Sequence, residues 1–443
     1  MKTSLRTTNC DQASGPENTD PDVACEHHAG ETRNLNPGLT ILYYDHTASL
    51  SGGELALLNL LQALDRSRYT PLVVLGTDGP LVARLKDLEV ETYVLLLDNN
   101  VAQTRKDSLK GMGLLRLKTF WKSLLYILRL AHLIRGRSVD LVHTNSLKAD
   151  ILGGIAARLA KVPVIWHVRD RIADDYLPTL AAYSFRILCR LIPGYIIANS
   201  QSTENTLMIS DTVRVKVIYS GATNTLVEPT RGRIPDPGLP PAFASSLGSP
   251  RIGLVGRISP WKGQHIFIAA AAEVVKRFPN AHFQIIGSAM FGEAEYETQV
   301  RQQVQRLGLS GQVEFTGFCE DVYARIQDLD ILVHASTIGE PFGQVVVEGM
   351  VSGKPVVATN GGGVPEIVVD GETGLLVPMG DASAMGEAIC ELLSDPKRAE
   401  RMGMAARTRA LEMFTMERTA EQVHAVYDLM STKQPKRGNL ARN

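Results

Sequence analysis

The chain has 443 residues, 44% hydrophobic and 21% charged, with a formal net charge of −1. These values fit a soluble globular enzyme with more than one domain and enough apolar sequence for two cores. The balanced charge excludes bulk attraction to nucleic acid, and no apolar run reaches membrane-spanning length.

Residues 1–37 are polar and carry no signal-peptide pattern, so a disordered tail is expected there. The cluster Cys25-Glu26-His27-His28 has no further well-spaced ligands, and no metal is predicted on it. The five cysteines are odd in number and include no CxxC, which argues for a reducing, cytoplasmic compartment. A first α/β unit is expected over 38–221. The apolar run 39–44 reads as a buried strand, followed by Ser51-Gly52-Gly53 and an amphipathic helix over 54–64. Further strands are expected at 71–75, 91–97, 140–143, 163–167, 195–198 and 215–219, with helices between most of them. Such alternation predicts a parallel sheet with right-handed crossovers.

Within this unit, residues 105–137 hold nine basic residues against one acid, Asp107, and apolar residues from Leu117 to Ala131 recur at helical spacing. The segment reads in two ways. It is either a helix touching an anionic membrane surface, or a helix packed on the sheet with a solvated basic face.

Residues 222–250 contain six prolines and read as a linker. A second α/β unit is expected over 251–410, with strands at 252–255, 281–286, 312–315, 331–334, 355–358 and 375–377. Helical sequence follows at 381–394 and 397–430, and 431–443 form a short basic tail.

In open parallel sheets, ligands bind beyond the carboxyl ends of strands, so the loops after strands carry the candidate chemistry. Gly256-Arg257 and Lys262-Gly263 lie on one such loop, before a helix starting near Gln264. Two cations at a helix N-terminus suit a diphosphate. Glu340-Pro341-Phe342-Gly343 and Glu348 form a second motif. By propensity Val345–Val347 favour a strand, but a helix opened by Gly343 puts Gln344 and Glu348 on one face. Carboxylates accept paired hydrogen bonds from vicinal diols, such as those of sugar and ribose. Gly361-Gly362-Gly363 allow close backbone approach to an anion, and Gly52-Gly53 occupy another strand-to-helix loop. Asp328-Leu329-Asp330 precedes a strand at its amino end, where a metal site is not expected.

Together these motifs resemble the family 4, group 1 glycosyltransferases of GT-B fold, from about Leu39 to Met430 and most specifically through Glu340-x7-Glu348 with the upstream Arg257 and Lys262. The resemblance implies an α/β protein of two Rossmann-like domains facing across a cleft. A C-terminal helix, placed at 411–430, would cross back to the first domain. It implies a metal-independent, retaining transferase that needs no cofactor and takes a UDP- or GDP-sugar as donor. Arg257 and Lys262 would bind the diphosphate, Glu340 the sugar hydroxyls and Glu348 the ribose. Gly52, Gly53, Gly256, Phe342, Gly343, Gly361, Gly362 and Gly363 would line the donor site. His167 would stand near the reacting sugar, with Asn145 and Asp170 on the acceptor side. The acceptor would be a glycan or lipid-linked glycan, with the enzyme cytoplasmic or peripheral on the inner membrane face. A departure is Tyr219-Ser220-Gly221, where the family commonly has Pro-Asn-Gly. A GT-B nucleotide-sugar epimerase and a non-catalytic GT-B binding protein are the alternatives.

Overall fold

The computed structural model describes residues 38–98, 113–209, 214–222, 248–290, 292–319 and 321–432. The Cys25–His28 cluster, most of the expected linker, part of the basic segment and the basic tail lie outside them.

The first domain alternates β1 (Leu39–Asp45), α1 (Gly52–Gln62), β2 (Tyr69–Leu75), α2 (Pro80–Asp87), β3 (Glu91–Val94), α3 (Gly113–Gly136), β4 (Leu141–Thr144), α4 (Leu147–Ala160), β5 (Val164–Val168), α5 (Thr179–Leu191), β6 (Tyr195–Ala198), α6 (Gln201–Leu207) and β7 (Val215–Val217). Its sheet runs β3-β2-β1-β4-β5-β6-β7, every pair parallel. Ile41, Leu42, Tyr43 and Tyr44 are all fully buried. Such an unbroken apolar run is what a strand covered on both faces requires. The strand expected over 91–97 ends at Val94, but Leu95 and Leu97 still donate to the carbonyls of Leu75 and Gly76.

The second domain contains β8 (Arg251–Val255), α7 (Gln264–Arg277), β9 (His282–Ile286), α8 (Ala294–Arg306), β10 (Val313–Gly317), α9 (Val322–Gln327), β11 (Ile331–His334), α10 (Gln344–Val351), β12 (Val356–Thr359), α11 (Val364–Ile367), β13 (Leu375–Val377) and α12 (Ala382–Ser394). Its parallel sheet runs β10-β9-β8-β11-β12-β13. Strand order reverses beside β1 in the first sheet and beside β8 in the second. Each reversal opens a crevice at the strands' carboxyl ends. Val345–Val347 are helical because Val346 and Val347 bury against the second sheet, which overrides their strand propensity.

The final helical stretch is two helices, α13 (Pro396–Met413) and α14 (Met416–Thr432). Between them Ala222 pairs with the crossing strand, donating to the Phe414 carbonyl (2.8 Å) and accepting from the Met416 amide (3.1 Å). A Cβ at Gly221 would lie 2.2 Å from Thr415 backbone, so glycine is needed at this crossing. Beyond it, α14 buries Met416, Val423, Tyr427 and Met430 against the first domain.

Candidate active site

In the second domain, four loops following strands converge. After β8, Gly256 (φ 151°) and Gly263 (φ 73°) bracket a 3-10 turn, Pro260–Lys262. A Cβ at Gly263 would meet the Ala335 carbonyl at 1.9 Å, so this glycine lets the β8 loop abut the β11 loop. Trp261 forms a platform between the cations: Lys262 Nζ lies 4.3 Å and Arg257 Cζ 6.0 Å from its ring centroid.

Lys262 Nζ donates to Glu340 Oε1 at 2.8 Å and Oε2 at 3.0 Å. Ser336 Oγ also donates to Glu340 Oε2 (2.8 Å), and His334 Nε2 lies 3.2 Å from it. Burial pushes the Glu340 carboxyl up, but Lys262 and His334 more than reverse this and hold it well below the usual carboxylate range. It is therefore an ionised, acceptor-only group at neutral pH. Burial also pushes Glu348 up, here to about 7, because only the Lys262 charge opposes it. Lys262 thus acts on both glutamates. Arg257 is held by Glu293, Nε to Oε2 3.5 Å, an ion pair that the sequence did not announce.

The Gly361–Gly363 loop wraps the Glu340 backbone. Gly363 N–H donates to the Glu340 carbonyl (2.8 Å), and Gly362 (φ 65°) has no room for a Cβ against it. Phe342 is buried and stacks on Tyr219, ring centroids 5.8 Å apart. Only its backbone is left to serve a ligand. Gly343 (φ 124°) caps α10, whose Gln344 and Glu348 share one face.

Across the cleft, Asn145 is buried. Its Nδ2 donates to Asp45 Oδ2 (2.8 Å) and to the Gly53 carbonyl (2.9 Å), and its Oδ1 accepts from Arg169 Nε (2.9 Å). Gly52 and Gly53 open α1, with Arg169 3.8 Å from where a Gly53 Cβ would stand. His167 is buried. Its Nδ1 lies 3.1 Å from His143 Nε2 and 3.3 Å from Arg169 Nη2, while Nε2 has no partner among the described residues. Burial, then the Arg169 charge, holds His167 well below its ordinary value, so it is neutral. Asp170 Oδ1 accepts from Tyr176 OH at 2.6 Å, and Tyr176 feels the charges of Glu340 and Arg257 in the opposite domain.

The domains also touch directly at this level. Arg171 Nη1 donates to the Gly339 carbonyl (3.3 Å), Ser200 Oγ to the Pro341 carbonyl (2.5 Å), and the Gln201 and Ser202 amides to Glu366 (2.7 Å each). The open groove lined by Arg251, Gln284 and Asp328 lies at the amino ends of the strands and holds none of these groups. There Asp330 Oδ2 accepts from the Arg251 amide (2.7 Å), tying together the amino ends of the neighbouring strands β11 and β8.

A family model described as glycosyl transferases group 1 matches residues 240–409, and one described as glycosyltransferase family 4 matches residues 50–223. A D-inositol 3-phosphate glycosyltransferase of Corynebacterium efficiens is 31% identical over 335 residues, covering 69% of this chain and 76% of that protein. The chain belongs to the group 1, family 4 glycosyltransferases. A putative glycosyltransferase EpsD of Bacillus subtilis is 35% identical over 176 residues, which cover 39% of this chain and 44% of that protein, so the chain spans less than half the length of some curated relatives. Among solved structures, Anabaena HepE in complex with UDP and glucose has a TM-score of 0.74 and 27% identity, covering 88% of this chain and 99% of that one. HepE has also been solved with UDP-glucose. The fold of this glycosyltransferase is therefore GT-B, with two parallel-sheet Rossmann-like domains.

Several groups of this glycosyltransferase's cleft were not singled out in the sequence. His334 and Ser336 close the β11 strand and its loop and hold Glu340. Their only signal was position at a strand's carboxyl end. Asp45, Arg169 and Tyr427 come from distant segments and belong to no local motif, whereas Glu54 closes the Ser51-Gly52-Gly53-Glu54 loop as a capping box with Ser51. Burial, with the Asp45 charge adding, pushes Glu54 up to about 7.

Proposed function

We propose that this glycosyltransferase moves a hexose, with retention of anomeric configuration, from a UDP- or GDP-sugar to a glycan or lipid-linked acceptor, without a metal. The observation that carries the reading is the Lys262–Glu340 pair beside Arg257, on loops that meet at the second domain's crevice. HepE binds UDP and UDP-glucose, which supports the donor class. The first-domain crevice faces this site and takes the acceptor. The enzyme works in the cytoplasm or on the inner membrane face, with the basic segment 105–137 toward anionic lipid.

In this reading a diphosphate displaces Glu293 from Arg257 and draws Lys262 toward its oxygens. Breaking the bond between the anomeric carbon and the phosphate oxygen leaves a further negative charge on the diphosphate. Arg257 and Lys262 stabilise that charge where it forms. Glu340, ionised and acceptor-only, grips two sugar hydroxyls, and backbone N–H groups near Phe342 and Gly343 assist. Glu348 takes the ribose hydroxyls, and Gly256 and Gly361–Gly363 let the backbone close on donor phosphate and sugar. The unpartnered Nε2 of His167 meets a sugar oxygen. Gly52 and Gly53 face the donor from the first domain, while Asn145 fixes Gly53 and Arg169 and Asp170 borders the acceptor. The acceptor hydroxyl attacks from the face the phosphate leaves, and the phosphate takes its proton. Proton NMR of the new glycosidic linkage tests this: the donor's anomeric configuration is expected. Inversion, or isomerised donor without transfer, contradicts it.

A further inference from the structure

The helices on the two faces of the first sheet differ in character. On one face α1, α2 and α14 carry Glu54, Asp87, Glu417, Glu421 and Asp428 beside Arg84, Lys86 and Arg418. On the other face the sequences of α3, α4 and α5 hold one acid, Asp150, and it is fully buried. The cations there include Lys122 and Arg129 on α3, Arg158 on α4 and Arg190 on α5. Asp98 pairs with Lys122 at 2.6 Å, the remaining charge on these helices being basic.

Each outer helix of this second face has two apolar stripes. On α5, Ala182, Phe185 and Cys189 are buried against the sheet. Leu180, Tyr183, Ile187 and Leu191 form another line, at helical spacing, and are 77%, 60%, 37% and 63% exposed. A helix lying on one sheet needs only the inner stripe, so the outer one calls for a partner. On α3, Leu130 and Ile134 face inward, while Trp121, Leu125 and Leu128 are about half exposed. The two ridges are joined through arginines. The Arg135 side chain bonds the carbonyl of exposed Leu159 on α4, and Arg158 Nη2 donates to the Leu191 carbonyl at 2.7 Å. Guanidinium groups therefore lie among the exposed leucines.

Apolar ridges edged by arginine and lysine, with no exposed acid on the helices, fit one chemistry. The side chains enter the headgroup–acyl boundary and the cations meet lipid phosphates. A second copy using the same face would set arginine against arginine, which a two-fold contact cannot relieve. We propose that the α3–α4–α5 face docks on an anionic lipid bilayer, with the Leu180–Leu191 ridge of α5 inserted. The docking extends well past the basic segment itself. It rests on and deepens the acceptor reading: α5 begins just after Tyr176, whose hydroxyl bonds Asp170 at the cleft, so the ridge leads from lipid to the acceptor side.

The test is flotation of the full chain with phosphatidylcholine vesicles, with and without phosphatidylglycerol, for wild type and Leu180→Glu/Leu191→Glu. Both substituted side chains are exposed, and circular dichroism with a nucleotide thermal shift checks the fold. Binding that needs phosphatidylglycerol, weakens in high salt and falls at least about tenfold in the double variant is expected. Wild type that ignores phosphatidylglycerol vesicles overturns the proposal. So does equal flotation of the double variant, or a wild-type dimer in sedimentation that the double variant converts to monomer. Flotation reads no sugar transfer, so loss of nucleotide binding with intact flotation removes the donor reading and leaves this one standing.

Discussion

The two domains hold their polar groups in opposite ways. In the second domain Lys262 and Glu340 remain 17% and 12% exposed, stacked beside Trp261 at the crevice, and their charges can be redirected to a ligand. In the first domain Asp45, His143, Asn145 and His167 are at most 1% exposed and form a closed network with Arg169, Ser220 and Tyr427. One arrangement keeps its charges partly exposed at the crevice, and the other pairs its buried groups mainly with one another, leaving His167 Nε2 over among the described residues. The lesson is that a charged group in a cleft serves chemistry or architecture according to whether its bonds can be traded. A buried group whose partner is removed is left with an uncompensated desolvation cost.

The largest expected effect falls on the partly exposed side. Glu340→Ala lowers turnover about a hundredfold or more in a donor-hydrolysis or transfer assay, while its melting temperature stays near wild type. Next comes the closed network. Arg169→Leu removes bonds to Asn145 and Ser220 and leaves Asp45 without its nearby cation. A stability loss of about 3 kcal/mol in urea unfolding is expected. If Arg169→Leu is as stable as wild type, or Glu340→Ala unfolds, the contrast between the domains fails.

The smallest effect is a pH dependence. Burial raises the Glu348 carboxyl to about 7 from an ordinary 4.5, so the fold retains a proton that the unfolded chain has released. Its contribution to ligand-free stability therefore declines as pH rises from 4.5 to about 7. Ribose hydroxyls favour the ionised carboxylate, so donor affinity should strengthen as pH rises through about 7. Titration calorimetry at several pH values checks this, and Glu348→Gln should flatten the profile.

The same contrast explains what could be read in the sequence. Strand alternation, the glycine-bracketed Arg257–Lys262 loop and the Glu340–Glu348 spacing were legible because each is local and periodic. The helical state of Val345–Val347 was legible only through Gly343, since propensity opposed it. The closed network was not legible, because Asp45, His143, Arg169 and Tyr427 meet only after three strands and the crossing helix are assembled. Glu293 was equally silent: a glutamate before α8 looks like any surface acid until Arg257 is placed beside it. The outer stripe of α5 was hidden for another reason. Its Leu180, Tyr183 and Ile187 are indistinguishable from core residues until Phe185 and Cys189 take the inner face.

The proposed donor site stands or falls with Arg257 and Lys262 as the seat of a nucleoside diphosphate. Titration calorimetry of UDP and GDP into wild type and Arg257→Ala/Lys262→Ala measures this. One nucleotide should bind wild type, and the folded double variant should bind it at least about a hundredfold more weakly, as the loss of two charge-assisted contacts requires. A folded double variant with wild-type affinity contradicts the account.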